Sequence, residues 1–118
     1  MKKLFISLIL GLSLISSFAA PSGNTATVNF VWDYDFTTNY ISNFKLYFGP
    51  STLNYTNSVT LGMVTNGTIP NLQRGITYYF SCTAIDTNNL ESDYSNEVIY
   101  TIPKKPGNPR NLIIQLQP

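Results

Sequence analysis

The 118-residue chain contains no histidine. That removes Ser-His-Asp and Cys-His catalysis, the usual general base near neutral pH, and most zinc sites. The remaining reactive side chains are six carboxylates and one thiol. Asp33 and Asp35 lie two apart in sequence and are the pair considered for carboxylate-based hydrolysis. Acid–base work needs a pocket that drives the two pKa values apart. These two stand at the end of an apolar run beside a turn, and they read as solvated loop acids. Asp86, Glu91 and Asp93 could offer oxygen ligands to calcium, yet their spacing is not that of an EF-hand loop. No glycine-rich phosphate loop is present. Cys82 is the single cysteine, so it has no partner for an internal bridge. Lacking an evident positive neighbour, it reads as a small buried hydrophobe rather than a reactive thiol. No catalytic, cofactor or metal residue is predicted.

The elements around these residues are extended. Past residue 20, no segment repeats its apolar residues at helical spacing over a useful length. Short runs rich in Val, Ile, Thr, Tyr and Phe alternate with polar residues and stop at turn residues, the pattern of a sandwich or barrel. Val28, Phe30 and Trp32 stop at Asp33. Phe44, Leu46 and Phe48 stop at Gly49-Pro50. A weaker run covers 58–61, and another ends at Ile69 before Pro70. Tyr78, Phe80, Cys82 and Ala84 stop at Asp86, and a last run covers 96–102 before Pro103. Alternate side chains on a strand share a face. These sets, with Leu72, Val98 and Tyr100, therefore predict a two-sheet core. At ~1.5–3 kcal/mol per large apolar side chain, that core offsets much of the ordering entropy without a cofactor.

The two ends of the chain read differently. Lys2 and Lys3 precede a 12-residue apolar stretch, residues 4–15, that closes on Ser16-Ser17-Phe18-Ala19. This is the order of a secretory signal peptide, with cleavage expected after Ala19. The stretch is short of the ~20 residues that span a bilayer as a helix, so no membrane association is expected once it is removed. Residues 20–103 carry six acids against Lys45 and Arg74, whereas 104–118 carry Lys104, Lys105 and Arg110 and no acid. A net-negative body is a poor nucleic-acid binder, because that binding neutralises phosphates.

Four local patterns converge on one family. They are Phe30-Val31-Trp32-Asp33; Asn43-Phe44-Lys45-Leu46-Tyr47-Phe48-Gly49; Leu72-x-x-Gly75-x-x-Tyr78 leading into an alternating strand; and Tyr94-Ser95-Asn96-Glu97-Val98. In this order and spacing, residues 25–103 resemble the fibronectin type III family, particularly its bacterial and phage members. The resemblance implies an all-β, immunoglobulin-like antiparallel sandwich of two sheets. It places Trp32 at the core centre, with Leu72 and Cys82 also inside, Tyr78 at the tyrosine corner and Gly75 in the turn before it. Gly67 departs from the family, which commonly has an aromatic there, and a looser edge is expected. The integrin-binding Arg-Gly-Asp triplet is absent.

The same resemblance sets the strands ending in Phe48, Phe80 and Tyr100 side by side. Their outward neighbours Tyr47, Tyr79 and Ile99 then form a stripe that either stabilises the sheet or contacts a partner. The implied role is that of a non-catalytic binding or spacer module in adhesion or assembly. It would be secreted, periplasmic or displayed at a cell or virion surface, with a protein or surface glycan as partner. A carbohydrate-binding accessory module is the alternative.

The family's first strand is expected to be short or missing, since few residues separate Ala19 from the Trp32 strand. Residues 104–118 form a Pro-rich basic linker and a spare strand-like tail, Asn111, Leu112, Ile113 and Ile114 running on to Leu116. That tail is a candidate for donation to a neighbouring copy, for insertion into its own domain, or for disorder.

Overall fold

The computed structural model describes residues 4–9, 23–37 and 40–118. Among these the chain forms seven strands and no helix: β1 (Phe5–Ile9), β2 (Thr25–Asp33), β3 (Ile41–Gly49), β4 (Asn57–Leu61), β5 (Asn66–Gln73), β6 (Thr77–Asp86) and β7 (Val98–Thr101). They make two antiparallel sheets, a three-stranded one in the order β1-β2-β5 and a four-stranded one in the order β4-β3-β6-β7.

The core lies between the sheets, where the alternation points. Val28, Phe30 and Trp32 of β2 face Phe44 and Leu46 of β3 and Phe80, Cys82 and Ala84 of β6, all buried. Phe30 meets Phe80 with ring centroids 4.9 Å apart, and Trp32 meets Phe44 at 5.5 Å. Both pairs are tilted, the arrangement that aligns ring edges with ring faces. Phe48, Tyr78, Val98 and Tyr100 are partly buried and pack against this cluster, while Ile41 and Ile102 join it from strand ends.

Three sequence expectations are sharpened or corrected. The first strand, expected to be short or missing, is present and short. Phe5–Ile9 pairs with β2 over five residues, from Phe5 opposite Asp33 to Ile9 opposite Asn29. Leu4 and Ile6 are buried in the core. The leader-like apolar stretch alternates at its start, and that alternation suits a strand as well as a leader. The remaining leader residues and the cleavage point lie outside the described residues.

Secondly, β5 does not stop at Ile69 but continues through Pro70 to Gln73. Pro70 and Asn71 lie opposite Thr27 alone, since Ala26 pairs with Leu72 and Val28 with Ile69. This is a bulge on an edge strand, where the missing proline N–H costs no ladder bond. Asn71 takes the positive φ of 62° that the bulge requires, a conformation asparagine tolerates better than most residues.

Thirdly, the Gly67 edge is tight rather than loose. A Cβ there would lie 2.5 Å from Leu61 Cδ1, 3.0 Å from Leu46 Cδ1 and 3.5 Å from the Trp32 ring. The indole and two leucines fill the space an aromatic would have used.

The β5–β6 turn shows the tyrosine-corner arrangement. The Gln73 amide donates to Tyr78 Oη at 2.9 Å, and Gly75 turns the chain with φ 83°. The Gly75 amide also donates to the Ile102 carbonyl at 2.7 Å, which ties the end of β7 to this pole.

Candidate binding face

Between β6 and β7 the chain does not form a hairpin but runs alongside β6 for several residues. Serines replace the regular ladder there. Ser92 donates its amide to the Ala84 carbonyl (2.8 Å), and its Oγ accepts from the Ala84 amide (2.9 Å). Ser95 does the same with Cys82, at 2.8 and 2.9 Å. Each serine thus closes a two-bond ring on one β6 residue, satisfying backbone groups that a regular strand would otherwise pair. One residue lies between Cys82 and Ala84 on β6, but two lie between Ser92 and Ser95. The extra residue lets Tyr94 turn onto the outer face of the four-stranded sheet.

Three tyrosines meet on that face. Tyr94 lies edge-on to Tyr47 of β3 (5.2 Å) and to Tyr55 of the β3–β4 connection (5.1 Å), and Tyr47 and Tyr55 are 6.1 Å apart. Each of the two inner rings is anchored by a carboxylate. Tyr47 Oη donates to Glu91 Oε1, which also accepts from Thr83 Oγ1 at 2.7 Å. Tyr55 Oη donates to Glu97 Oε2 at 2.5 Å, and the Leu53 amide reaches the same oxygen at 3.2 Å. Lys45 Nζ sits 5.1 Å from the centre of the Tyr47 ring, a cation–π distance.

Protonation follows from this geometry. Burial first, then the hydrogen bond to Glu91 and its negative charge, push Tyr47 up to about 12. Tyr55 is raised further by its own burial and by Glu97. Desolvation works against ionising Glu91, but bonds from Tyr47 and Thr83 and the charge of Lys45 outweigh it and hold the carboxyl below its ordinary value. Glu97 is lowered in the same way against its desolvation, by Tyr55, the Leu53 amide and Thr52. Both tyrosines therefore stay neutral donors and both glutamates stay anionic at physiological pH.

Of the predicted stripe, Tyr79 and Ile99 are directly opposed across β6 and β7, and Ile99 is exposed. Tyr47 lies on the neighbouring strand, opposite Ser81, but its ring contacts are with Tyr55 and Tyr94. The face is thus wider than the stripe. Tyr55, Tyr94, Glu91 and Glu97 were not legible as members, because the bonds that recruit them join residues more than 40 apart in the chain.

Glu91 also borders a cleft of about 370 Å³ at one pole, lined by Tyr34, Tyr40, Asp86, Asn88 and Leu90 among others. Tyr40 is 84 % exposed at its rim. Asp86 Oδ1 accepts the amides of Asn88 (2.8 Å) and Leu90 (2.9 Å), which fixes the loop. Asp35 Oδ1 likewise accepts Thr37 N and Oγ1 at 2.9 and 2.6 Å. Of the acids weighed for catalysis or calcium, Asp35 and Asp86 are turn-forming groups here, and Glu91 is taken up by Tyr47 and Thr83. Among the described residues no three of Cys, Asp and Glu group as metal ligands. Cys82 is buried, and its desolvation pushes the thiol up to about 12.

Two sheets in this order, a core indole on β2 and a tyrosine corner before β6 define the architecture. The fold is that of a fibronectin type III domain. The solution structure of the fibronectin type III domain of human collagen alpha-1(XX) chain superposes with a TM-score of 0.57 at 18 % identity, covering 80 % of this chain and 100 % of that one. The third fibronectin type III domain of human KIAA0343 protein gives 0.54 at 15 % identity, covering 81 % and 98 %. A structure described as a myokine gives 0.56 at 14 % identity, covering 66 % and 83 %. No family model and no curated protein matches the chain. The likeness is one of fibronectin type III architecture, at 14–18 % sequence identity.

Proposed function

We propose that this chain is an exported, non-catalytic fibronectin type III module of bacterial or phage type. It binds a protein or surface glycan, and it serves adhesion, spacing or assembly at a cell or virion surface. The observation that carries this reading is the aromatic face of the four-stranded sheet. Tyr47, Tyr55 and Tyr94 pack together there, with the Tyr79–Ile99 pair on the same sheet. Rings already ordered by one another and by Glu91 and Glu97 lose little rotamer freedom on contact, which favours their use in binding. Contiguous aromatics left at a surface commonly mark interaction sites. Export is supported by the order of Lys2-Lys3, the apolar stretch and the small residues at 16–19.

A glycan is favoured as the second reading by the polar cleft. The exposed Tyr40 lines this cleft together with Asp86 and Asn88, a combination of aromatic surface and hydrogen-bonding groups that suits a sugar. The test compares wild type with Tyr47→Ser/Tyr79→Ser for binding to intact cells or virions of the source. Circular dichroism checks that both are folded. Weaker binding by the folded double variant is expected; undiminished binding eliminates this face. Titration with soluble glycans, read by tyrosine fluorescence, separates the protein reading from the glycan reading.

A further inference from the structure

The slot beside β2 has a second candidate occupant within the chain. β1 enters it through Leu4-Phe5-Ile6-Ser7-Leu8, and the tail contains Leu112-Ile113-Ile114-Gln115-Leu116. Both segments read Leu-x-Ile-x-Leu. At the N-terminus the first two shared positions, Leu4 just before β1 and Ile6 within it, are 5 % and 4 % exposed. In the tail the corresponding Leu112 and Ile114 are 96 % and 92 % exposed, and Leu116 is 93 % exposed. Residues 103–118 form no secondary structure, and every one of them is exposed. The tail therefore leaves exposed, at Leu112 and Ile114, the residue types that the slot buries at Leu4 and Ile6.

What holds β1 beyond that pattern is indifferent to side-chain identity. Its ladder to β2 is backbone pairing. Its far side is gripped by Asn96, whose Oδ1 accepts the Ile6 amide at 2.9 Å and whose Nδ2 donates to the Ile6 carbonyl at 3.3 Å. An asparagine clamping one peptide unit accepts any strand that presents the right register.

We propose that Leu112–Leu116 of one copy occupies the β1 slot of a second copy, with Ile114 taking the place of Ile6, so that copies join head to tail. The proposal rests on the export reading, in which removal of the leader takes β1 with it and leaves the β2 edge and Asn96 unpaired. Geometry favours a second copy over the chain's own tail. β1 starts opposite Asp33 and runs toward the start of β2. The tail departs near that start, since Arg74 bonds both the Asn24 carbonyl and the Pro103 carbonyl. To enter its own slot in the β1 direction, the tail would first have to travel back along β2. Nine residues of strand measure about 26 Å, and residues 104–111 reach at most roughly 30 Å when straight, without allowance for the reversal at the pole. A neighbour imposes no such limit, and a heterologous contact that does not close produces open chains.

The register gives the test. Phe5 pairs with Asp33, so Ile113 should lie opposite Asp33 of the next copy. The exported chain carrying Ile113→Cys and Asp33→Cys is treated with a short thiol-to-thiol cross-linker, and products are sized by denaturing gel and intact mass. The control carries Ile113→Cys and Thr25→Cys, at the other end of β2. The expected result is a ladder of dimers and higher species from the first variant, lacking residues 1–19 and absent from the control. Adding Asn96→Ala should weaken the ladder at least several-fold. A purely intramolecular link overturns donation between copies, and no link, or equal linking in the control, overturns the proposal. Intact mass separates the two readings. Processed chains without a ladder sink only the strand donation, whereas unprocessed chains without a ladder sink both.

Discussion

Gly67 offers the sharpest test of how the sheets are packed. An added Cβ would lie 2.5 Å from Leu61 Cδ1 and 3.0 Å from Leu46 Cδ1, with the Trp32 ring at 3.5 Å. Leu61 sits on the edge strand β4, is only partly buried and can swing aside. Leu46 is fully buried, and it can move only by disturbing Phe44 and Trp32. Overpacking of this kind costs about 1–3 kcal/mol. Alanine's easier backbone in a strand returns about 0.5–1 kcal/mol, leaving a net loss of roughly 1–2 kcal/mol for Gly67→Ala. For a domain of this size that lowers Tm by about 5–15 °C. Gly62→Ala is the matched control, since nothing lies within 4 Å of its added Cβ, and it should be neutral or slightly stabilising. Thermal and urea unfolding of both variants, followed by circular dichroism, gives the comparison. A Gly67→Ala protein as stable as wild type would mean that Trp32 and Leu46 do not close over β5 as described.

Three further outcomes follow from the site. Because Tyr47 is held protonated up to about 12, the stability its bond confers is complete below the free phenol pKa of about 10 and is lost as pH rises from there through 12. Tyr47→Phe should therefore flatten the alkaline limb of the stability profile, and an unchanged limb would refute the pairing with Glu91. Glu91 and Glu97 are lowered, so their contribution is present above the ordinary carboxylate range and disappears as pH falls through their folded values. Glu97→Gln should lose part of that acid dependence in urea titrations, and an identical acid limb would remove Glu97 from the account. The Cys82 thiol should resist Ellman's reagent at pH 8 in the native protein and react with one equivalent in denaturant; labelling of the folded chain would contradict its burial.

Much of the sandwich was legible because period-two alternation is local. Phe30 and Trp32, Phe44 and Leu46, and Phe80 and Cys82 declare their inward face within five residues of sequence, and all are buried. What escaped is non-local or doubly coded. β1 lies in a segment whose charge, apolar run and small residues spell a leader, and only its pairing with β2 shows that it also suits a strand. Pro70 reads as a strand end unless one knows that β5 is an edge with a bulge opposite Thr27. Ile41 and Ile102 sit at strand ends, where alternation gives no face. The Tyr47–Glu91 and Tyr55–Glu97 pairs depend on how the β6–β7 connection runs beside β6, and that path is set by Ser92 and Ser95 bonding to β6.

The account stands on β2 packing face to face with β3 and β6. Nuclear Overhauser contacts between the aromatic protons of Phe30 and Phe80, and of Trp32 and Phe44, test this most directly, because each pair joins one sheet to the other. Strong cross-peaks for both pairs are expected from centroid distances of 4.9 and 5.5 Å. Cross-peaks from Phe30 and Trp32 confined to their own sheet would contradict the sandwich and the binding face built on it.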